Sequence, residues 1–213
     1  MKKKLSFVLT VVFLLCSITS AYAVSDNFVQ VAEDEVGTKY EMVNFSWDNY
    51  YIKDNCKYNE WFRDAYYGGV RGWFKSEEDK REYPHRTMWC ATFVCWCANQ
   101  AGVSDSEIPF SANVNDIQKW YNDKGSYQSG LVYVPKRGDL IFFHNGNQYY
   151  HIGIVKSVEE TIKAPYKDEK KLIVRTIEGD CGVENNRYSA VVEKEYERFH
   201  GSWTGNVAGF GVN

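Results

Sequence analysis

The segment Trp89-Cys90-Ala91-Thr92-Phe93-Val94-Cys95-Trp96-Cys97-Ala98 places a cysteine where a helix is expected to begin. The N–H groups of a helix's first turn have no intrahelical acceptor, and the positive end of the helix dipole lies there. A thiolate at Cys90 is therefore stabilised and can act as a nucleophile. A thiol nucleophile needs a base. Tyr150-His151-Ile152-Gly153-Ile154-Val155, after the turn-forming Asn145-Gly146-Asn147, reads as a buried strand that carries His151 at its start. A further strand from Lys171 ends in Glu178, whose carboxylate could orient the imidazole and hold its tautomer.

Each of these residues also has an ordinary structural role. Cys90 could be a half-cystine or a small buried hydrophobe. His151 could be a strand-edge histidine, with His85 and His144 as rival bases. Glu178-Gly179-Asp180 could be a strand-ending turn with solvated acids. Their combination in the order Cys, His, Glu carries the weight.

That combination resembles the CHAP domain, the cysteine, histidine-dependent amidohydrolase/peptidase family. The resemblance rests on Trp89 to Val94, on Pro135-Lys136-Arg137-Gly138-Asp139-Leu140-Ile141-Phe142-Phe143, on His151 to Val155, and on Ile177-Glu178-Gly179-Asp180. Four blocks in order over about ninety residues form a more specific signal than any single motif. The flanks Ala32 to Gly37, Tyr58 to Phe62 and Ser111 to Val114 resemble exported bacterial members. The resemblance implies that Cys90 is the nucleophile, His151 the general base and acid, and Glu178 the group that polarises the ring. Where relatives often carry Asn two residues after the glutamate, this chain has Asp180. Asp180 could share the orienting role or replace Glu178, since either carboxylate could accept the Nδ1 hydrogen. Tyr150, beside the histidine, is bulky and is expected to narrow the cleft.

The remaining signals suit an exported enzyme. Lys2-Lys3-Lys4, an apolar run from Leu5 to Cys16, and Ala21-Tyr22-Ala23 have the pattern of a signal peptide over residues 1–23. That run is shorter than the roughly 20 residues needed to span a bilayer, and none later reaches that length. Leu15 stands where lipid modification of Cys16 would want a small residue. Cleavage after Ala23 would remove three lysines and no acids, taking the net charge from −3 to −6. An acidic domain without a Lys/Arg cluster lacks the basic surface that nucleic acid requires. Residues 24–213 suffice for a single catalytic domain, and they contain no internal repeat or low-complexity linker.

Periodicity predicts an α+β fold of papain-like type, with N-terminal helices packed on a mainly antiparallel sheet. Helices are expected after the capping pair Ser25-Asp26 as far as Val36, with Gly37 ending the run, from Cys90 to Ala101, and from Val114 to Tyr121. Strands are expected over 131–134, 140–144, 151–158, 172–178, 188–196 and 207–212. Residues 42–88, rich in aromatics and charge, read as short helices and loops along one rim of the cleft. Of the clustered aromatics Trp47, Tyr50, Tyr51, Trp61, Phe62, Tyr66 and Tyr67, with Trp89 and Trp120, most are expected in the core and two or three along a groove.

Without the leader the chain keeps Cys56, Cys90, Cys95, Cys97 and Cys181. An odd count fits a free Cys90 and two disulfides among the other four, with three pairings open. Cys95 and Cys97 lack the spacing of a zinc knuckle, and Asp48, Asp54 and Asn55 lack that of an EF-hand, so neither metal nor cofactor is expected. The expected function is cleavage of peptidoglycan amide bonds, either between muramic acid and L-alanine or within the stem or cross-bridge. A non-catalytic wall scaffold and an antibacterial effector are the alternatives.

Overall fold

The structure, a computed structural model, describes residues 26–46, 49–66, 78, 81, 88–162 and 170–213. The expected leader with Cys16 lies outside the described residues, as do His85, Trp47, Asp48 and Tyr67. Helix α1 (26–34) buries Phe28, Val29 and Ala32, and Gly37 closes the segment at a φ of 94°. Two strands follow, β1 (Lys39–Ser46) and β2 (Asn49–Ile52), in a region read from the sequence as loops and short helices. Their period-2 pattern is masked because both faces carry apolar residues. The paired Met42 and Ile52 are buried, while the paired Val43 and Tyr51 are exposed. Helix α2 (Lys57–Tyr66) comes next.

Helix α3 (Cys90–Gln100) is apolar nearly all round and accordingly central, burying every residue from Cys90 to Cys95 together with Cys97 and Ala98. Gly102, at a φ of 80°, lies just past its end. Helix α4 (Val114–Asp123) is capped by Asn113, whose side chain accepts the Asn115 N–H.

The strands β3 (Tyr127–Ser129), β4 (Leu140–His144), β5 (Tyr149–Ile162), β6 (Lys170–Val183), β7 (Tyr188–Phe199), β8 (Ser202–Trp203) and β9 (Val207–Gly211) complete the fold. Among the described residues they form one nine-stranded sheet in the order β2-β1-β7-β6-β5-β4-β9-β3, with β8 on β7. Every neighbouring pair is antiparallel. The fold is α+β, as the sequence predicts.

The strand expected over 131–134 is instead a turn that exposes Leu131 and Val132. Side chains take up its backbone acceptors. Arg198 donates to the carbonyls of Gly130 and Tyr133, and the Trp203 indole also donates to Gly130. The Arg137-Gly138-Asp139 block is structural. Buried Asp139 accepts from the Lys136 N–H and the Tyr133 hydroxyl, fixing the turn into β4.

Alternation along β4 divides the core. Leu140 and Phe142 join the cluster that contains α3, while Ile141 and Phe143 join Val155, Val174 and Phe210. Helix α3 packs across β5 and β6, the two strands that carry the candidate base and its carboxylate.

Candidate active site

The helix that carries Cys90 begins without a cap of its own. Trp89 precedes it at φ −112° and ψ 9° and offers no capping side chain. Asp180 of β6 supplies the missing acceptor, its Oδ2 taking the Trp89 N–H at 3.1 Å and its Oδ1 the Ser189 hydroxyl at 2.7 Å. A carboxylate at this end also suits the helix dipole. The fully buried Trp89 ring stacks on Tyr58 at 5.1 Å and meets Phe93 edge-on. Beneath both lies Gly179, where a Cβ would stand 2.7 Å from Trp89 Cζ3 and 2.8 Å from Phe93 Cγ. Glycine is what lets the helix start sit directly on the strand.

Strands β5 and β6 bring the other two residues together. Ile154 pairs with Ile177, which sets Gly153 beside Glu178 and leaves His151 within reach of its carboxylate. His151 Nε2 lies 2.9 Å from Glu178 Oε2. The Thr176 hydroxyl donates to Oε1 at 2.6 Å, and Lys194 Nζ stands 3.2 Å from Oε2. Thr176 and Glu178 thus share one side of β6, as strand alternation requires. After Glu178 the register with β7 shifts, and Asp180 adopts a φ of 61°. This bulge brings Cys181 round to the same pair, its Sγ 3.9 Å from both His151 Nε2 and Glu178 Oε2.

The electrostatics follow from these contacts. Glu178 is fully buried, which by itself raises a carboxyl pKa. The bond and charge of His151, then Lys194 and Thr176, outweigh that and hold it at about 2. Burial of the His151 ring disfavours its charged form. Cys181, Cys90 and Glu178 overcome that and hold the ring well above its ordinary value. Glu178 and Cys90 therefore both act on the charge of the same imidazole.

Several expectations need correction. The carboxylate contacts Nε2 of His151, not Nδ1. Asp180 is committed to the start of α3, and β6 does not end at Gly179 but runs on to Val183. No disulfide joins the cysteines: Cys56, Cys90, Cys95, Cys97 and Cys181 are all free and buried. Their positions explain this. Cys95 Sγ contacts the Ser111 carbonyl at 3.5 Å, and Cys181 faces His151. Burial pushes the thiols of Cys56 and Cys95 up to about 12 and that of Cys97 well above its ordinary value, so they behave as inert core groups.

The rival base His144 accepts the Gly146 N–H through Nδ1 at the β4–β5 turn. Tyr150 is 42% exposed, with its ring 6.4 Å from that of His151. Of the candidate groove aromatics, Phe62 and Trp89 are core, and the Trp120 ring lies under Lys124.

Sequence reasoning missed Lys194 and Cys181 as members of the site. Lys194 enters because Thr176 pairs with it across β6 and β7, a register no local motif discloses. Gly153 was read only as part of a strand, yet a Cβ there would lie 2.6 Å from Glu178 Cγ. Gly153→Ala should therefore push Glu178 off Thr176 and His151, costing about 1–3 kcal/mol by overpacking. Hydrolysis should fall more than tenfold while the fold persists. Thermal melts and turnover on wall fragments check this, and an unchanged rate would mean that the Glu178 position is not critical.

Residues 78–164 match the family model for the CHAP domain, with Cys90 and His151 inside the matched segment and Glu178 beyond it. No curated protein and no solved structure matches the chain. CHAP domains are hydrolases that act through cysteine and histidine on peptidoglycan. Over residues 78–164 the chain is thus similar to the CHAP-domain family.

Proposed function

We propose that the protein is an exported cysteine hydrolase that cleaves amide bonds of peptidoglycan, with Cys90, His151 and Glu178 as its catalytic set. The observation that carries this reading is the 2.9 Å contact between His151 Nε2 and Glu178, with Cys90 among the groups that favour the charged ring. With Nε2 committed to the carboxylate, Nδ1 is the nitrogen left to take the Cys90 proton. The thiolate then attacks the wall amide carbonyl. The Cys90 N–H, in the first turn of α3 and without an intrahelical acceptor by position, can receive the oxyanion. His151 returns the proton to the leaving amine, and water, activated by the same imidazole, hydrolyses the thioester.

Export is supported by the basic, apolar and small-residue pattern of residues 1–23. No described helix is long and apolar enough to cross a membrane. The test is to incubate the protein with purified peptidoglycan and identify released fragments by mass spectrometry. A new amino terminus at L-alanine together with a free muramic acid carboxyl would mark an amidase, and new amino termini elsewhere in the stem or in the cross-bridge an endopeptidase. Intact wall after prolonged incubation would favour a scaffold.

A further inference from the structure

Three potential metal ligands converge at the site. His151 Nε2, Glu178 Oε2 and Cys181 Sγ are separated by 2.9, 3.9 and 3.9 Å. A point equidistant from the three atoms lies about 2.1 Å from each, and zinc prefers about 2.0–2.3 Å to nitrogen, oxygen and sulfur ligands. One imidazole, one carboxylate and one thiolate form a borderline-soft set that suits zinc rather than calcium or magnesium. The spot already attracts a cation: Lys194 Nζ stands 3.2 Å from Glu178 Oε2, and its side chain is 39% exposed, so it can swing into solvent.

We propose that His151, Glu178 and Cys181 form an inhibitory site for a zinc-like divalent ion, with Lys194 as its built-in competitor. Binding forms a Zn–S bond and releases the Cys181 proton to solvent. The ion also takes Nε2 of His151, whose proton leaves that nitrogen, and water fills the fourth position. An imidazole ligated through Nε2 has lost the Glu178 contact and is a poorer base at Nδ1, so it no longer accepts the Cys90 proton. Because protons are released, affinity weakens as pH falls. The inhibitory half rests on the hydrolase reading above, whereas ion binding does not.

The experiment uses the full chain in the Cys90→Ala background, with cobalt(II) as a spectroscopic stand-in for zinc. A thiolate-to-cobalt absorption band is expected in the near ultraviolet, removed by zinc, absent when Cys181→Ser is added and weakened at least about tenfold in apparent affinity by Glu178→Gln. A band missing from Cys90→Ala, or retained after Cys181→Ser, overturns the site. On wild-type protein, zinc should inhibit wall hydrolysis. Half-inhibition should need at least about tenfold more zinc in Cys181→Ser, and less zinc in Lys194→Met, each measured against that variant's own metal-free rate. Equal sensitivity of all three proteins overturns the proposal. If the wild type hydrolyses no wall, the functional reading fails while the cobalt band still tests the site.

Discussion

Cys90→Ala is expected to abolish wall hydrolysis, lowering turnover by several orders of magnitude, and to leave a folded protein. The sulfur is the only atom removed, from a residue 4% exposed at the first position of a helix, where alanine is the best helix former. The packing loss should be about 1 kcal/mol, small against the stability of a domain with two buried clusters. The chemical loss is large, because Cys90 is the thiol at the first position of α3. Iodoacetamide should label Cys90 ahead of Cys56, Cys95 and Cys97, since burial holds those three thiols far up and unreactive. Fragment release is measured by mass spectrometry and folding by thermal melt. Hydrolysis that survives in Cys90→Ala would end the covalent mechanism.

How much of this site could be read from residues alone depends on whether the signal was local. The apolar surroundings and position of Cys90, the buried run after His151, and the shared side of Thr176 and Glu178 are local patterns, and each holds in the structure. The first helix was legible for the same reason, through its spacing and Gly37, and α4 was expected over nearly its full length. What failed depends on pairing. β1 and β2 were hidden because Met42, Val43, Tyr51 and Ile52 place apolar groups on both faces. The turn at 131–134 looks like a strand until Arg198, 65 residues away from Tyr133, takes that residue's carbonyl. Gly179-Asp180 looks like a strand end, since a glycine followed by an acid is ordinary turn chemistry. It is instead a bulge that sends Asp180 to α3 and Cys181 to His151. The expected disulfides came from counting thiols, and a count carries no geometry.

Glu178→Gln and Asp180→Asn should separate the two acids that the sequence alone could not. In Glu178→Gln, the amide can keep its shape by accepting from His151 while its nitrogen faces Thr176, but it loses the charge that holds the imidazole in its protonated form and pairs with Lys194. kcat should fall by about two to four orders of magnitude, less than for loss of the nucleophile, because binding and the oxyanion donors remain. Asp180→Asn keeps an oxygen for the Trp89 N–H and can turn its amide nitrogen toward the Ser189 oxygen, so its rate should stay within severalfold of wild type. Stability should follow the same division with pH. Glu178 sits at about 2 in the folded chain against an ordinary 4.5, so its contribution, up to roughly 3 kcal/mol, is fully present above the ordinary value and is lost as pH falls through 2. His151 is raised, so its share is full below its ordinary value of 6.5 and is lost as pH climbs through its folded value. The gap in melting temperature between wild type and Glu178→Gln should therefore be widest between about pH 4.5 and 6.5, and should close on acidification toward pH 2. Melts across that range and kcat on soluble wall fragments at one pH measure both effects. A crippled Asp180→Asn beside a nearly normal Glu178→Gln would reverse the assignment and make Asp180 the residue that orients His151.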